Sequence, residues 1–219
     1  MTIRNQFDGE LNEVKTLIHE LANGADNALK NAVESLYHRD VEKAQEVVDR
    51  DNDLDKKELD IHDKTILLIA KQQPVASDLR RLVIALKISS DIERMADHAV
   101  NIAKATIRLG ENHGLTVHPK ISQMAEKARD MASLAIKAFE YEDISLARQL
   151  SGLDDEIDEM YGLVIREMLD ETASNPQMNQ YIMEMAFSAR FIERYADHIT
   201  NIGENIFYLV KGETYNLND

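Results

Sequence analysis

Four pairs of acidic residues recur along this chain, each with three residues between its members. Helical residues advance by about 100°, so positions four apart share one face and each pair would place two carboxylates side by side. The pairs are Asp51 with Asp55, Glu93 with Asp97, Asp154 with Asp158, and Glu193 with Asp197. Carboxylate oxygens are the ligands that hard metal cations prefer. The spacing therefore indicates metal binding.

Each acidic pair interrupts an apolar stripe of its own helix, and this carries an energetic cost. Like charges at this spacing cost a few tenths of a kcal/mol even on a solvated helix, and much more when partly buried. Because the same cost recurs four times, a compensating cation is the economical explanation. Two alternatives stay open. Some pairs arise by chance among 40 acidic residues, and Arg80, Arg94 or Arg194 could neutralise the carboxylates.

A ten-residue signature that contains one of these pairs occurs twice, 100 positions apart. The segments 93–102 and 193–202 read E-R-M-A-D-H-A-V-N-I and E-R-Y-A-D-H-I-T-N-I, with seven of the ten positions identical. The shared positions include Glu, Arg, Asp, His and Asn, which an apolar core does not require. The repeat therefore indicates a duplicated module that carries chemistry.

Histidines accompany the pairs. His98 and His198 each follow the Asp of the signature directly, so they point about 100° away and are predicted to pack or to support the site. Asn101 and Asn201 lie nearer the acidic face. His62 shares the stripe of Asp51 and is the better ligand candidate, although the second half has no counterpart.

Composition restricts the class of protein. With 25 basic and 40 acidic residues the net charge is −15, which disfavours direct binding to nucleic acids or anionic lipids. The chain has no Cys, and this excludes disulfides, zinc fingers and iron–sulfur clusters. It shows neither an apolar signal core at its first residues nor a run long enough to span a membrane. We expect a soluble cytoplasmic protein.

Catalytic motifs are missing from the sequence. It contains no Glu-x-x-His pair of the di-iron type, no H-E-x-x-H and no phosphate-binding glycine loop. No Ser-His-Asp arrangement can be assigned. The expectation is a protein that is not an enzyme and has no catalytic residues.

Apolar residues at helical spacing predict six helices and an all-α fold. The predicted helices run from about Leu11 to Tyr37, Val41 to Gln73, Val75 to Leu109, Pro119 to Tyr141, Asp143 to Ala173, and Pro176 to Lys211. Asp40 and Asp143 are the predicted N-caps of the second and fifth helices, and all three prolines, Pro74, Pro119 and Pro176, are predicted to lie at helix starts. The only linker-like stretch is 110–118, between the third and fourth helices. Short loops make neighbouring helices antiparallel.

The pattern predicts two tandem, pseudo-symmetric three-helix bundles, 1–112 and 113–219, with one irregular six-helix domain as the alternative. The third and sixth helices are apolar on two opposite faces. One face carries the acids. The other face has to be buried against a further helix, so each of these two helices lies at the centre of its domain or at an interface. On the third helix this second face comprises Ile84, Ile88, Ile92, Met95, Ala99 and Ile102.

Three motifs resemble the PhoU family of bacterial phosphate-specific transport systems. They are I-R-N-Q-F-D-G-E-L at residues 3–11, Q-Q-P-V-A-S-D-L-R-R-L at 72–82, and the two E-R-x-A-D-H copies. The resemblance covers essentially the whole chain. It implies two similar three-helix bundles and metal clusters held by the eight acidic residues named above.

The resemblance also implies a function. Its members are negative regulators of phosphate uptake and phosphate-starvation signalling, connect the ATPase subunit of the phosphate ABC transporter to a phosphate-sensing histidine kinase, and are usually homodimeric. Iron and zinc are the implied metals, and oxygen-only ligands also suit manganese or magnesium. Membrane association would come only through these partners.

One departure and one alternative remain. The second half reads P-Q-M-N-Q-Y-I at 176–182, without the P-V-A-S-D-L-R of the first half. If Asp78 and Arg80 belong to a contact surface, only the first half supplies it. The alternative function is a carboxylate-bridged multinuclear metalloenzyme such as a hydrolase, for which His62 is the nearest candidate base.

Overall fold

The structure is a computed structural model that describes residues 3–111, 116–174 and 176–217. The six helices are α1 (Ile3–His38), α2 (Val41–Gln72), α3 (Ser77–Leu109), α4 (Pro119–Tyr141), α5 (Ile144–Ser174) and α6 (Asn179–Lys211). Within the described ranges there is no strand, which confirms the all-α prediction. None of these helices is long and apolar enough to cross a membrane. The predicted linker lies partly outside the described residues, at 112–115.

The helix ends follow local capping chemistry. Asp40 accepts from the backbone N–H of Lys43 at 2.8 Å and caps α2, and Asp143 accepts from that of Ser145 at 2.7 Å ahead of α5. Both caps were predicted from the sequence. The α1 start at Leu11 was wrong, because the helix begins eight residues earlier, at Ile3. Phe7 explains the extension, since it is buried in a small apolar cluster with Leu11, Leu68 and Leu82.

Two predicted proline positions also need correction. Only Pro119 occupies the first turn of a helix. The α3 helix begins at Ser77 because Gln73 and Ala76 both adopt positive φ angles, 47° and 49°, which break the helical path. Pro176 begins a short 3₁₀ turn, and α6 follows from Asn179.

Two three-helix bundles lie side by side, α1–α3 and α4–α6, joined along α3 and α6. These two helices are antiparallel. Arg108, near the end of α3, donates to Glu184 at 2.7 Å near the start of α6. Arg80, near the start of α3, reaches the carbonyl of Leu209 at 3.4 Å near the end of α6. The domain boundary near residue 112 stays a prediction.

Both central helices are buried on the face opposite the acids. All six residues predicted for this face of α3 are buried, from Ile84 to Ile102. The cover is supplied by α1 and by α6. The prediction that α3 lies at the centre of its domain or at an interface is therefore confirmed, since α1 belongs to its own bundle and α6 to the other.

An ion pair joins α1 to α4 across the two halves. Arg129 donates twice to Asp26, from Nε at 2.7 Å and from a terminal nitrogen at 2.8 Å. The two positions are 103 apart, the same separation as the caps Asp40 and Asp143, so they correspond in the two halves. The pseudo-symmetry is therefore broken at this junction, where one half supplies the acid and the other the base.

Candidate functional site

The first acidic set comprises Asp51 and Asp55 from α2 with Glu93 and Asp97 from α3. The structure brings these four residues together. Burial raises the pKa of Asp51, and the charges of Asp55 and Asp97 raise it further. Burial raises the pKa of Glu93 to about 7, with Asp97 as the next cause and Asp55 after it. Four carboxylates from two helices therefore share one partly buried face.

The second acidic set comprises Asp154 and Asp158 from α5 with Glu193 and Asp197 from α6. Asp154 is only 5% exposed, and burial followed by the charges of Asp158 and Asp197 raises its pKa to about 7. Burial and Asp197 also raise the pKa of Glu193. Oδ1 of Asp154 and Oε2 of Glu193 are buried without a hydrogen-bond partner. Buried carboxylate oxygens without a hydrogen-bond partner indicate that this site is stabilised by a positively charged group.

Arginines neutralise only part of these charges. Arg94 lies 3.3 Å from Asp97 and 3.7 Å from Glu93, but its side chain is 62% exposed. Arg190, which sequence analysis did not single out, contacts Glu193 at 2.9 Å. Arg80 is engaged at the far end of α6 instead. Within the described ranges, Asp51, Asp55 and Asp154 form no ion pair, so arginine does not neutralise these three, whereas the charge of Arg190 acts to lower the pKa of Asp158.

The donor set fits a hard cation in chemistry but not yet in geometry. All eight side chains offer oxygen, the ligand atom that iron, manganese and magnesium prefer, and zinc also accepts it. In the described part of the chain, no three acidic or histidine side chains converge closely enough to hold a metal ion. A bound cation would therefore require side-chain rotations that draw neighbouring carboxylates together.

The signature histidines lie at the seam between α3 and α6. Their rings stack with centroids 5.5 Å apart. His198 Nδ1 lies 3.0 Å from Asp91, which also accepts from Asn201 at 3.3 Å. His98 stacks on Phe191 at 6.0 Å, and its Nδ1 has no partner. This placement agrees with the predicted packing role.

His62 is engaged by its neighbours beside the first acidic set. Its Nε2 lies 3.1 Å from Glu58, 3.3 Å from Ser90 Oγ and 3.2 Å from the carbonyl of Leu86. A catalytic relay requires the acid on one ring nitrogen and the hydroxyl on the other. Here the acid and the hydroxyl both lie at Nε2, so the cluster does not form a relay.

Two acidic residues of this region were missed by the sequence analysis. Glu58 raises the pKa of Glu93 and follows Asp55 by three positions, so it extends the acidic stripe by one turn. Helical spacing could have identified it. Asp91 lies two positions before the signature, and its counterpart is Phe191. No repeat signal marks it, because the two halves differ there.

Comparisons with known proteins agree with the duplicated architecture. The family profile described as "PhoU domain" matches twice, at residues 18–106 and 121–206. A phosphate-specific transport system accessory protein PhoU homolog from Clostridium acetobutylicum is 32% identical over 99% of both chains. A homolog of the same name from Aquifex aeolicus is 37% identical over 93% of this chain and 92% of its own.

Solved structures support the same conclusion. The crystal structure of PhoU from Pseudomonas aeruginosa superposes with a TM-score of 0.89 at 27% identity, over 94% of this chain and 100% of the other. The crystal structure of the phosphate transport system regulatory protein PhoU from Streptococcus pneumoniae gives 0.89 at 28% identity, over 96% and 99%. The fold of two tandem three-helix bundles is therefore confirmed.

Proposed function

This chain belongs to the PhoU family, and we propose that it is a negative regulator of phosphate uptake and phosphate-starvation signalling. In this role it is a metal-binding adaptor between the ATPase subunit of the phosphate ABC transporter and a phosphate-sensing histidine kinase. The names of its relatives support the link to phosphate transport. The observation that carries the metal-binding part is the pair of acidic sets, one in each bundle, with orphaned carboxylate oxygens in the second.

The acidic sets would hold the cation through Asp51, Asp55, Glu93 and Asp97 in one bundle and Asp154, Asp158, Glu193 and Asp197 in the other. A bound cation supplies positive charge that offsets carboxylate repulsion. Each set draws residues from two helices, so its carboxylates would then tie α2 to α3 and α5 to α6. The raised pKa values of Glu93 and Asp154 reflect burial and the repulsion of neighbouring carboxylates, which a cation would relieve.

The adaptor role is proposed for a cytoplasmic homodimer without catalytic activity. The acidic surface suits docking on basic partner surfaces, and such docking weakens as salt is raised. The hydrolase alternative predicts turnover of phosphate esters by the metal-loaded protein, which makes it an outcome of the same test.

The test is deletion of the gene in the source cell. Uptake of labelled phosphate and alkaline phosphatase activity are followed under phosphate excess. The proposal predicts that phosphate uptake and alkaline phosphatase activity both rise in the deletion strain, because the negative regulator is absent. Normal repression in that strain, or hydrolysis of phosphate esters by the purified metal-loaded protein, would overturn it.

A further inference from the structure

We propose that the outer corner between α2 and α3 binds an acidic, apolar segment of a partner protein. The α2–α3 corner consists of the apolar residues Ile66, Val75, Leu79 and Val83 and the cations Arg80 and Lys87. This proposal rests on the adaptor role proposed above, because it names the surface and the kind of partner.

The apolar part of the corner is exposed. Val75 is 76% exposed, Ile66 56%, Leu79 37% and Val83 36%. Leu79 and Val83 are four residues apart and share one face of α3, and Val75 lies in the turn that precedes this helix. The contact of His62 with the carbonyl of Leu86 fixes the antiparallel register of α2 and α3 and places Ile66 at about the same level along the helix axes as Val83. Contiguous exposed apolar side chains mark interaction surfaces.

The cations of the corner lack acidic partners. Within the described residues, neither Arg80 nor Lys87 has a carboxylate at ion-pair distance, although the chain contains 40 acidic residues. Both instead lie over the ring of Tyr208, at 5.8 and 6.0 Å. Stacking holds their charges beside the apolar strip without neutralising them. An acidic partner segment would supply the missing carboxylates.

The charge of the whole chain favours a protein segment over two other occupants. At −15 the chain is repelled by anionic membranes, and a second copy carries the same negative charge. A local cationic spot can still attract a short acidic segment. Electrostatic complementarity of this kind selects the partner and accelerates association more than it adds affinity.

The turn that presents Val75 is held in an unusual conformation. Ala76 has φ 49° and ψ −116°, which a residue with a side chain rarely adopts. Asp78 receives hydrogen bonds from Arg4 and Arg81. Arg81 also donates twice to Glu142, at 2.7 and 3.0 Å. A turn fixed from both sides loses less freedom on binding, which favours docking.

The second half of the chain provides a natural comparison. Its corresponding residues are Asn179 for Leu79, Gln180 for Arg80, Met183 for Val83 and Phe187 for Lys87. Met183 and Phe187 are exposed, so apolar surface is present there, but both cations are absent. We therefore expect the acidic segment to bind the first half only.

The first experiment places a photo-crosslinking amino acid at Val75 in the source cell. Leu169, which is 65% exposed and corresponds to Ile66, is the control position. The proposal predicts crosslinks from position 75 to another protein, within a segment that holds apolar residues and more Asp and Glu than Lys and Arg. Crosslinks only to a second copy, to lipid or to a basic segment, or none, would overturn it.

The second experiment measures binding of the purified crosslinked protein to the full chain by calorimetry. The double variant Leu79→Asn with Arg80→Gln introduces the residues that α6 already carries at the corresponding positions. It should weaken binding by about tenfold and flatten its salt dependence. Met183→Asn with Leu169→Gln should leave binding unchanged. The proposal is contradicted if binding weakens equally in both double variants, or if it weakens in neither.

One further measurement and one substitute variant keep these results interpretable. Thermal unfolding shows whether the double variant folds, and Lys87→Gln alone replaces it if it does not. The outcome is separable from that of the deletion test. An acidic segment captured at Val75 alongside normal phosphate repression in the deletion strain would keep this surface and reject the regulator. If phosphate repression is lost in the deletion strain but no acidic segment is captured at Val75, the proposed surface is rejected and the regulator is kept.

Discussion

The rings of His98 and His198 stack at the junction of the two bundles, with centroids 5.5 Å apart and 28° between their planes. They occupy the same position of the repeated signature, yet their surroundings differ. His198 contacts the carboxylate of Asp91, whereas His98 stacks on Phe191, the counterpart of Asp91. One side of the seam is therefore charged and the other apolar.

The partly buried ring of His98 should make stability pH-dependent. Burial, and then the charges of His198 and nearby arginines, lowers the pKa of His98 to about 4 from its usual 6.5. The unfolded chain therefore binds a proton more readily, and stability falls as the pH drops from about 6.5 to about 4. His98→Phe keeps an aromatic ring and should lose less stability over this window. Denaturant titrations of both proteins at pH 7 and pH 4.5 test this, and parallel profiles would contradict it.

Asp154 should have the opposite pH dependence in metal-free protein. Burial raises the pKa of Asp154 from 3.8 to about 7, so its folded state holds the proton and loses stability as the pH rises through this range. Asp154→Asn should be more stable than the wild type at pH 8, on the order of 1–2 kcal/mol. The difference should vanish near pH 4. Chelator-treated proteins are compared by urea unfolding, and a less stable variant at pH 8 would refute the assignment.

The packing of the tail after α6, residues 213–217, should depend on the absence of a side chain at Gly203. A Cβ there would lie 2.7 Å from Leu217 and 2.8 Å from Leu150, whereas the counterpart Ala103 carries one. Gly203→Ala should therefore displace Leu217 and raise hydrogen exchange at 213–217. Global stability should change little, because the gain in helix propensity, about 1 kcal/mol, offsets the strain.

Two controls accompany this substitution. Ala103→Gly alters helix propensity in the other half and should leave exchange in the tail unchanged. Adding Leu217→Ala to Gly203→Ala removes one contact of the new Cβ and should make the alanine net stabilising relative to Leu217→Ala alone. Undisturbed tail protection in Gly203→Ala would show that the close approach is absorbed elsewhere.

The two acidic sets should bind cations independently. Glu93→Gln with Asp97→Asn removes two carboxylates from the first set and leaves the second intact, because the sets lie in different bundles. Bound metal in protein purified without added metal should fall to roughly half. Elemental analysis by mass spectrometry measures it, and Glu193→Gln with Asp197→Asn is the matched control. Unchanged metal content in both variants would mean that the pairs are structural only.

Helical spacing predicted most of what positions the site. The periodic apolar residues gave six helices, and the caps Asp40 and Asp143 were identified because Asp before an apolar run satisfies free backbone N–H groups. The acidic pairs were placed on shared faces because residues four apart on a helix are neighbours. The structure then brought the pairs together across α2 and α3 and across α5 and α6.

Contacts between helices were less accessible to sequence reasoning. The role of Asp91 depends on His198, 107 positions away, and the repeat conceals it because Phe191 replaces it in the other half. The early start of α1 depends on the burial of Phe7 against α2 and α3. The delayed start of α3 depends on the positive φ angle of Ala76. An alanine in the sequence gives no indication of this conformation, because residues with a side chain rarely adopt it.

The most direct measurement follows phosphate uptake in the deletion strain complemented with variants of this chain. The central claim is that the chain restrains uptake through its acidic sets. Wild-type protein should restore low uptake under phosphate excess. A folded variant with Glu93→Gln, Asp97→Asn, Glu193→Gln and Asp197→Asn should leave uptake high. Full restoration of restraint by that variant, or no effect of the deletion, would contradict the account.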